Sequence, residues 1–180
     1  MEYYELHVAG LTRQLPICKV NDEISFAAFI MFSDVELTVA TAEALLKKCP
    51  EFDVIVTAEA KGIPLAYEMS RQCGKKYIVA RKMSKLYMHD PIEVEVKSIS
   101  TAKKQTLWLD RNEMDEIKGK RVLIVDDVIS TGGSLLGLEA LVNRAEGEIV
   151  GKATVLAEGE AADRPDLIYL EVLPVFANEA

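Results

Sequence analysis

Apolar and polar positions change their period several times along the chain. Tyr3 to Val8, Gln14 to Val20 and Ser25 to Phe32 are short β-favouring runs, separated by Ala9-Gly10 and by Asn21-Asp22, and predict a β-rich N-terminal segment. At Ser33 the pattern turns helical. Ser33-Asp34-Val35-Glu36 has capping-box spacing, Val35, Val39, Ala42, Leu45 and Leu46 form an apolar stripe, and Pro50 stops the helix. Asp53 to Thr57 reads as a short buried strand. The turn Ala58-Glu59-Ala60-Lys61-Gly62 follows, then a helix from Ile63 to about Cys73 that Gly74 ends. Tyr77 to Ala80 is another buried strand. In Ile92 to Ile99, Glu93, Glu95 and Lys97 alternate with Val94 and Val96; with Gln105 to Leu109 this predicts an antiparallel hairpin with one wet face. Val122 to Val125 is an unbroken aliphatic strand, and a helix runs from Ser134 to about Ala145. Strands at Gly151 to Ala157 and Leu167 to Val175 complete the set.

Strand, helix, strand, then strand and helix again predict an α/β fold built on a doubly wound parallel sheet. No repeat, low-complexity stretch or Pro/Ser-rich linker divides the 180 residues. We read residues 1–180 as one domain. Residues 1–32 make a small β-rich hood, 83–110 a flexible β-hairpin lid, and the remainder the core.

Composition narrows the function classes. Hydrophobic residues make up 49%, enough for a substantial core, and no segment approaches 18 uncharged apolar residues, so no membrane span is expected. Met1-Glu2-Tyr3-Tyr4-Glu5 has neither the basic nor the apolar region of a secretory signal. Cys18, Cys49 and Cys73 are odd in number and widely spaced, which predicts reduced thiols and a cytoplasmic location. Two histidines and no close cysteine pair argue against a zinc site, and a net charge of −8 argues against nucleic acid as a partner. An anionic small molecule remains compatible, since a local cradle overrides the global sign.

The most informative stretch is Arg121-Val-Leu-Ile-Val-Asp-Asp-Val-Ile-Ser-Thr-Gly-Gly-Ser134. Its acid pair, Asp126 and Asp127, falls at the carboxyl end of a central strand, where open α/β sheets hold their ligands. Ser130, Thr131, Gly132, Gly133 and Ser134 then offer N–H groups and hydroxyls to one anion at a helix N-terminus. An ordinary strand-to-helix connection explains the glycines; it requires neither two adjacent acids nor three hydroxyls. The stretch is not a Walker loop, lacking Gly-Lys-Ser/Thr, and its acids precede the glycines, unlike a dinucleotide fingerprint. Acids for vicinal hydroxyls beside a phosphate cradle suit a phosphorylated sugar.

This stretch closely resembles the phosphoribosyl-pyrophosphate (PRPP) motif of type I phosphoribosyltransferases. The resemblance covers most of the chain, since core plus hood is that family's plan. It implies that Asp126 and Asp127 bind the ribose hydroxyls and that Ser130 to Ser134 bind the 5′-phosphate. It also implies magnesium carried in on PRPP, with no metal held directly by the protein, and a homodimer.

Other segments gain meaning beside it. Glu59-Ala60-Lys61-Gly62 resembles the family's short pyrophosphate loop, in a form that recurs in adenine enzymes; alone it would equally be a solvated turn. Arg81 and Lys82, with Lys85 nearby, follow the next core strand and are placed to meet pyrophosphate. The hairpin tip Ser100-Thr-Ala-Lys-Lys104 reads either as a solvated end or as a lid that excludes water, with Lys103 and Lys104 closing on the leaving group. This tip departs from the Glu-containing lid of adenine enzymes and looks more like xanthine phosphoribosyltransferases and the related purine-repressor domain. For the base we select Phe26, Phe29, Val128 and Glu158. Core packing is the commoner use of the phenylalanines, whereas a carboxylate at 158 accepts hydrogen bonds and suits an exocyclic amine. The reading is a purine phosphoribosyltransferase acting on PRPP and a free base, adenine first. Xanthine, orotate and a non-catalytic PRPP-sensing regulator are the alternatives.

Overall fold

The structure is a computed structural model that describes residues 2–97 and 104–178. In chain order the elements are β1 (Tyr3–Val8), β2 (Leu11–Lys19), β3 (Ile24–Ala27), α1 (Val35–Leu46), β4 (Val54–Ala58), α2 (Ile63–Cys73) and β5 (Lys76–Ala80). After these come β6 (Ile92–Lys97), β7 (Lys104–Leu109), α3 (Arg111–Ile117), β8 (Arg121–Ile129) and α4 (Gly133–Arg144). The chain closes with β9 (Glu148–Glu158), a 3-10 turn (Gly159–Asp163), β10 (Ile168–Leu173) and β11 (Val175–Ala177).

Five parallel strands in the order β10-β9-β8-β4-β5 form the centre. The run Val122 to Val125 is at most 1% exposed, because layers cover both faces of the sheet. Alternation along the strands divides these residues between two cores. Ile55, Leu123 and Val125 pack with α1, α2 and the hood; Val54, Val56, Val122 and Ile124 pack with α3, α4 and the hairpin. This is the doubly wound sheet expected from the sequence.

Several elements depart from the sequence reading. Asp34, not Ser33, caps α1: its carboxylate accepts from the Leu37 N–H at 3.0 Å, while Arg13 clamps it from β2 at 2.7 Å. The buried stripe is Leu37, Thr38, Thr41, Ala42 and Leu45, and Val35 stands 74% exposed. Thr38 and Thr41 are tolerated inside because their hydroxyls donate to carbonyls one turn back, at 2.8 and 2.7 Å. Helix α3 escaped the periodicity reading because it has only seven residues, although its capping box, Asp110 with Glu113, stands in the sequence. Strand β3 stops at Ala27, and β11 returns the chain to pair antiparallel with it, Val175 opposite Phe26. The hood sheet, ordered β1-β2-β3-β11, is thus made from both ends of the chain, not from residues 1–32 alone.

Strands β6 and β7 form the expected antiparallel hairpin, with Glu93 and Glu95 exposed and Ile92, Leu107 and Leu109 buried against the core. Reciprocal backbone bonds between Arg81 and Trp108, at 2.9 and 2.8 Å, fasten its base to the end of β5. Lys103 and the rest of the tip before Lys104 lie outside the described residues.

Candidate active site

The chain leaves β4 toward β5 in one direction and β8 toward β9 and β10 in the other, so the winding reverses between β4 and β8. Ligands of open α/β sheets sit at the carboxyl side of such a point. Here β4 and β8 pair only as far as Val56 and Ile124, while β8 continues along β9 to Ile129. The acid pair therefore lies where β8 has run past β4 and is paired on one side only, to β9.

Asp127 is 3% exposed, and Lys61 Nζ lies 3.1 Å from its Oδ2, close enough for charge pairing but not aligned as a hydrogen bond. Asp126 is half-buried and its Oδ1 accepts from the Asp127 N–H at 2.9 Å. Burial first, and then the neighbouring Asp127 charge, push the Asp126 carboxyl well above the usual carboxylate range. Two adjacent acids held this way are an unfavourable arrangement that a ligand's hydroxyls or a cation would relieve.

Beyond Ile129 the chain turns through exposed Ser130 and Thr131 into Gly132, whose φ of 79° is left-handed and caps α4. A cavity of about 270 Å³ opens here, lined by Asp126, Val128, Ser130, Thr131, Ser134 and Gln105 among others. The first-turn N–H groups of α4 have no partners within the helix, no acidic residue occupies that turn, and the helix dipole adds positive potential. The predicted 5′-phosphate residues 130–134 are thus brought together as an anion cradle.

The loop after β4 presses on the acids. A Cβ at Gly62 would lie 2.5 Å from Thr57 Oγ1 and 3.0 Å from Asp126 Oδ1, so only glycine lets this loop pass. The Thr57 hydroxyl is fully buried with no hydrogen-bond partner among the described residues. The Glu59–Ala60 peptide is cis, and the Glu59 carboxylate accepts from the Lys82 N–H at 3.0 Å, tying the two basic loops together. Lys82 and Lys104 line a hollow of about 200 Å³ with Ala58, Gln105 and Ser134.

Two of the basic residues selected from sequence go elsewhere. Arg81 is turned toward α3, its Nη1 3.3 Å from Glu113 Oε1, because its backbone joins the hairpin bridge and fixes the direction of its side chain. Lys85 is half-buried in the following turn, where its N–H donates to Met88 Sδ at 3.5 Å. Neither lines the two hollows just described.

A third hollow, about 160 Å³, gathers Phe26, Phe29, Val128 and Glu158 with Lys61 and Ser130. The four base candidates therefore share one wall-to-wall space. Phe29, 3% exposed, belongs to the core, while Phe26, 37% exposed, remains open to a ligand. Burial raises the Glu158 carboxyl, against a smaller opposing pull from Lys61. Lys61 thus reaches the base side of the acid pair. Gln105 is the residue that sequence reasoning missed. A single glutamine beside two lysines carries no pattern, and only its register on β7 brings it over the cradle.

Comparison with known proteins agrees with this geometry. A family profile described as the phosphoribosyl transferase domain matches residues 36–179. The adenine phosphoribosyltransferase of Thermotoga petrophila is 35% identical over 137 residues, 73% of this chain and 72% of that one. The hypoxanthine/guanine phosphoribosyltransferase of Methanococcus voltae is 39% identical over 112 residues, 62% of this chain. That match spans about half of the relative's own length, 56%. Among solved structures, the adenine phosphoribosyltransferase of Rhodothermus marinus superimposes with a TM-score of 0.70 at 27% identity, covering 87% of this chain and 94% of that one. A profile match over most of the chain, with cradle and acid pair at the winding reversal, makes this protein a member of the type I phosphoribosyltransferase family.

Proposed function

We propose that the protein transfers the 5-phosphoribosyl group of PRPP to a free purine base, adenine foremost, in purine salvage, giving a nucleoside monophosphate and pyrophosphate. The observation that carries this reading is the meeting of three features at one sheet edge: an anion cradle, a carboxylate pair and an aromatic-walled hollow. Residues 130–134 take the 5′-phosphate, and Asp126 and Asp127 accept from the ribose hydroxyls. The backbone of the Glu59 to Gly62 loop, with Lys82 and Lys104, holds the pyrophosphate, while Lys61 stays on Asp127 and the base lies against Phe26 and Val128. The C–O bond to pyrophosphate breaks as the base nitrogen forms its bond to the same carbon. The protein's part is positioning and shielding; holding two reactants in register is worth about 7–11 kcal/mol of barrier.

Among the described residues no group of three or more His, Cys, Asp or Glu is arranged to hold a metal ion. Magnesium commonly uses one or two carboxylates together with substrate phosphates, and an acid pair beside a pyrophosphate loop fits an ion that arrives on PRPP. Such an ion supplies positive charge to the leaving group.

Adenine is favoured by the Thermotoga and Rhodothermus proteins and by Glu158, whose carboxylate accepts from an exocyclic amine. The Methanococcus relative supports a 6-oxopurine instead. We also infer a homodimer in the cytoplasm. Three free, separate cysteines support the compartment. Exposed Val35 and Tyr67, which share an apolar hollow with Val39, Ile63 and Pro64, offer a surface for a second copy. Among the described residues no helix is long and apolar enough to cross a membrane.

The test is pyrophosphate release from PRPP and magnesium with adenine, xanthine, guanine, hypoxanthine and orotate in turn. Release with adenine supports the reading, and release with another base alone reassigns the substrate. Silence with all five, beside tight PRPP binding, makes the protein a PRPP-sensing regulator.

A further inference from the structure

Two anion-sized hollows meet at a side chain that no motif singles out. The phosphate cavity and the hollow beside Lys82 and Lys104 share two wall residues, Ser134 and Gln105. Ser134 belongs to the cradle itself. Gln105 comes from outside, as the second residue of β7, exposed, on a hairpin whose base is pinned to β5 through Arg81 and Trp108. That anchoring fixes the strand that carries Gln105 to the rim of both hollows.

The side-chain type matters at such a seam. A primary amide carries two N–H donors and no charge. Between a helix N-terminus and Lys82, beside Lys104 whose Nζ donates to Glu95 at 3.1 Å, it donates to an anion on either side without adding a cation that would retain the departing one. A glutamate of the same shape would face both anions with a negative charge.

We propose that Gln105 is a direct contact for the phosphoribosyl donor, giving one amide N–H to the 5′-phosphate and the other to the pyrophosphate. It thereby favours a donor that carries both groups over one that carries either alone. This rests on reading the cradle as the 5′-phosphate site.

The experiment uses the full chain as wild type, Gln105→Leu and Gln105→Glu, with thermal midpoints confirming that the exposed substitutions leave the fold intact. Calorimetry measures ribose 5-phosphate and pyrophosphate binding separately, and steady-state assays give the apparent PRPP constant. Gln105→Leu weakens each anion about tenfold and Gln105→Glu about a hundredfold, the range of a hydrogen bond to a charged group. The PRPP constant rises in the same order. Loss confined to one anion, or equal effects of leucine and glutamate, overturns the bridging role. Undiminished binding by both variants overturns the contact altogether. Failure of the wild type to bind ribose 5-phosphate sinks the reading of the cradle, and this inference with it.

Discussion

Gly62→Ala is the sharpest probe of how the site is assembled. The new Cβ would sit 2.5 Å from Thr57 Oγ1, whereas ordinary contact begins near 3.4 Å, so something must yield by about 0.9 Å. Thr57 cannot, since β4 is wholly buried and Thr57 is held in register opposite Val79 of β5. Asp126 Oδ1 blocks a second direction at 3.0 Å. The loop Glu59 to Gly62 therefore moves outward, away from the acid pair. Overpacking of this kind costs about 1–3 kcal/mol of stability. A displacement near 1 Å at a reacting centre costs about a hundredfold in rate. Steady-state kinetics should show kcat/KM for PRPP falling by that order, with a thermal midpoint lowered by several degrees. Gly74→Ala is the matched control: its φ of 73° makes alanine strained, but open space surrounds it, so stability falls by about 1–2 kcal/mol while kinetics hold. Thr57→Ala combined with Gly62→Ala removes the clashing oxygen and restores most of the rate. If Gly62→Ala alone stays within twofold of wild type, the loop is not pressed against the acids and the argument is wrong.

Three further outcomes follow from the site. Asp126 holds its proton more tightly folded than unfolded, so its contribution to stability is full below about pH 4 and is lost as pH rises through its folded value. Asp126→Asn should therefore match wild type in stability near pH 4 and exceed it by about 1–3 kcal/mol at pH 8, while losing activity; a gap that stays constant with pH would refute the raised carboxyl. Thr131→Ala, which removes a cradle hydroxyl, should raise the apparent PRPP constant about tenfold with little change in melting temperature, checked by steady-state kinetics. Lys82→Ala should weaken pyrophosphate binding in calorimetry and leave stability alone, whereas Arg81→Ala should do the reverse, because Arg81 faces Glu113 on α3; a pyrophosphate defect in Arg81→Ala comparable to that of Lys82→Ala would refute the assignment.

What the sequence makes legible is whatever depends on local pattern. The aliphatic run Val122 to Val125, the acid pair and the Ser-Thr-Gly-Gly-Ser turn occupy one continuous stretch, so strand, cradle and helix N-terminus can be read together. The base hollow is legible only residue by residue, since Phe26, Val128 and Glu158 come from three different strands. Thr38 and Thr41 were invisible as core residues, because hydropathy does not register hydroxyls satisfied by the helix's own carbonyls. The direction of Arg81 depends on a bridge to Trp108, 27 positions away, and that of Gln105 on hairpin register. Strand β11 is three residues long and borrows its partner from the far end of the chain, beyond any window of periodicity.

That partnership sets an order of assembly. Ser25 Oγ donates to Asn178 Oδ1 across 153 positions, and Asn178 N–H reaches the Glu23 carbonyl at 2.8 Å. Contacts between such distant segments are made only after the intervening chain has been gathered, which slows the step that forms them. The cradle and its acids are drawn from nine consecutive positions and need only the central strands. Sequence separation therefore favours the anion site forming before the roof over the base hollow closes. Phe26, already opposite Cys18 of β2, gains its second strand neighbour, Val175, only when the last strand docks.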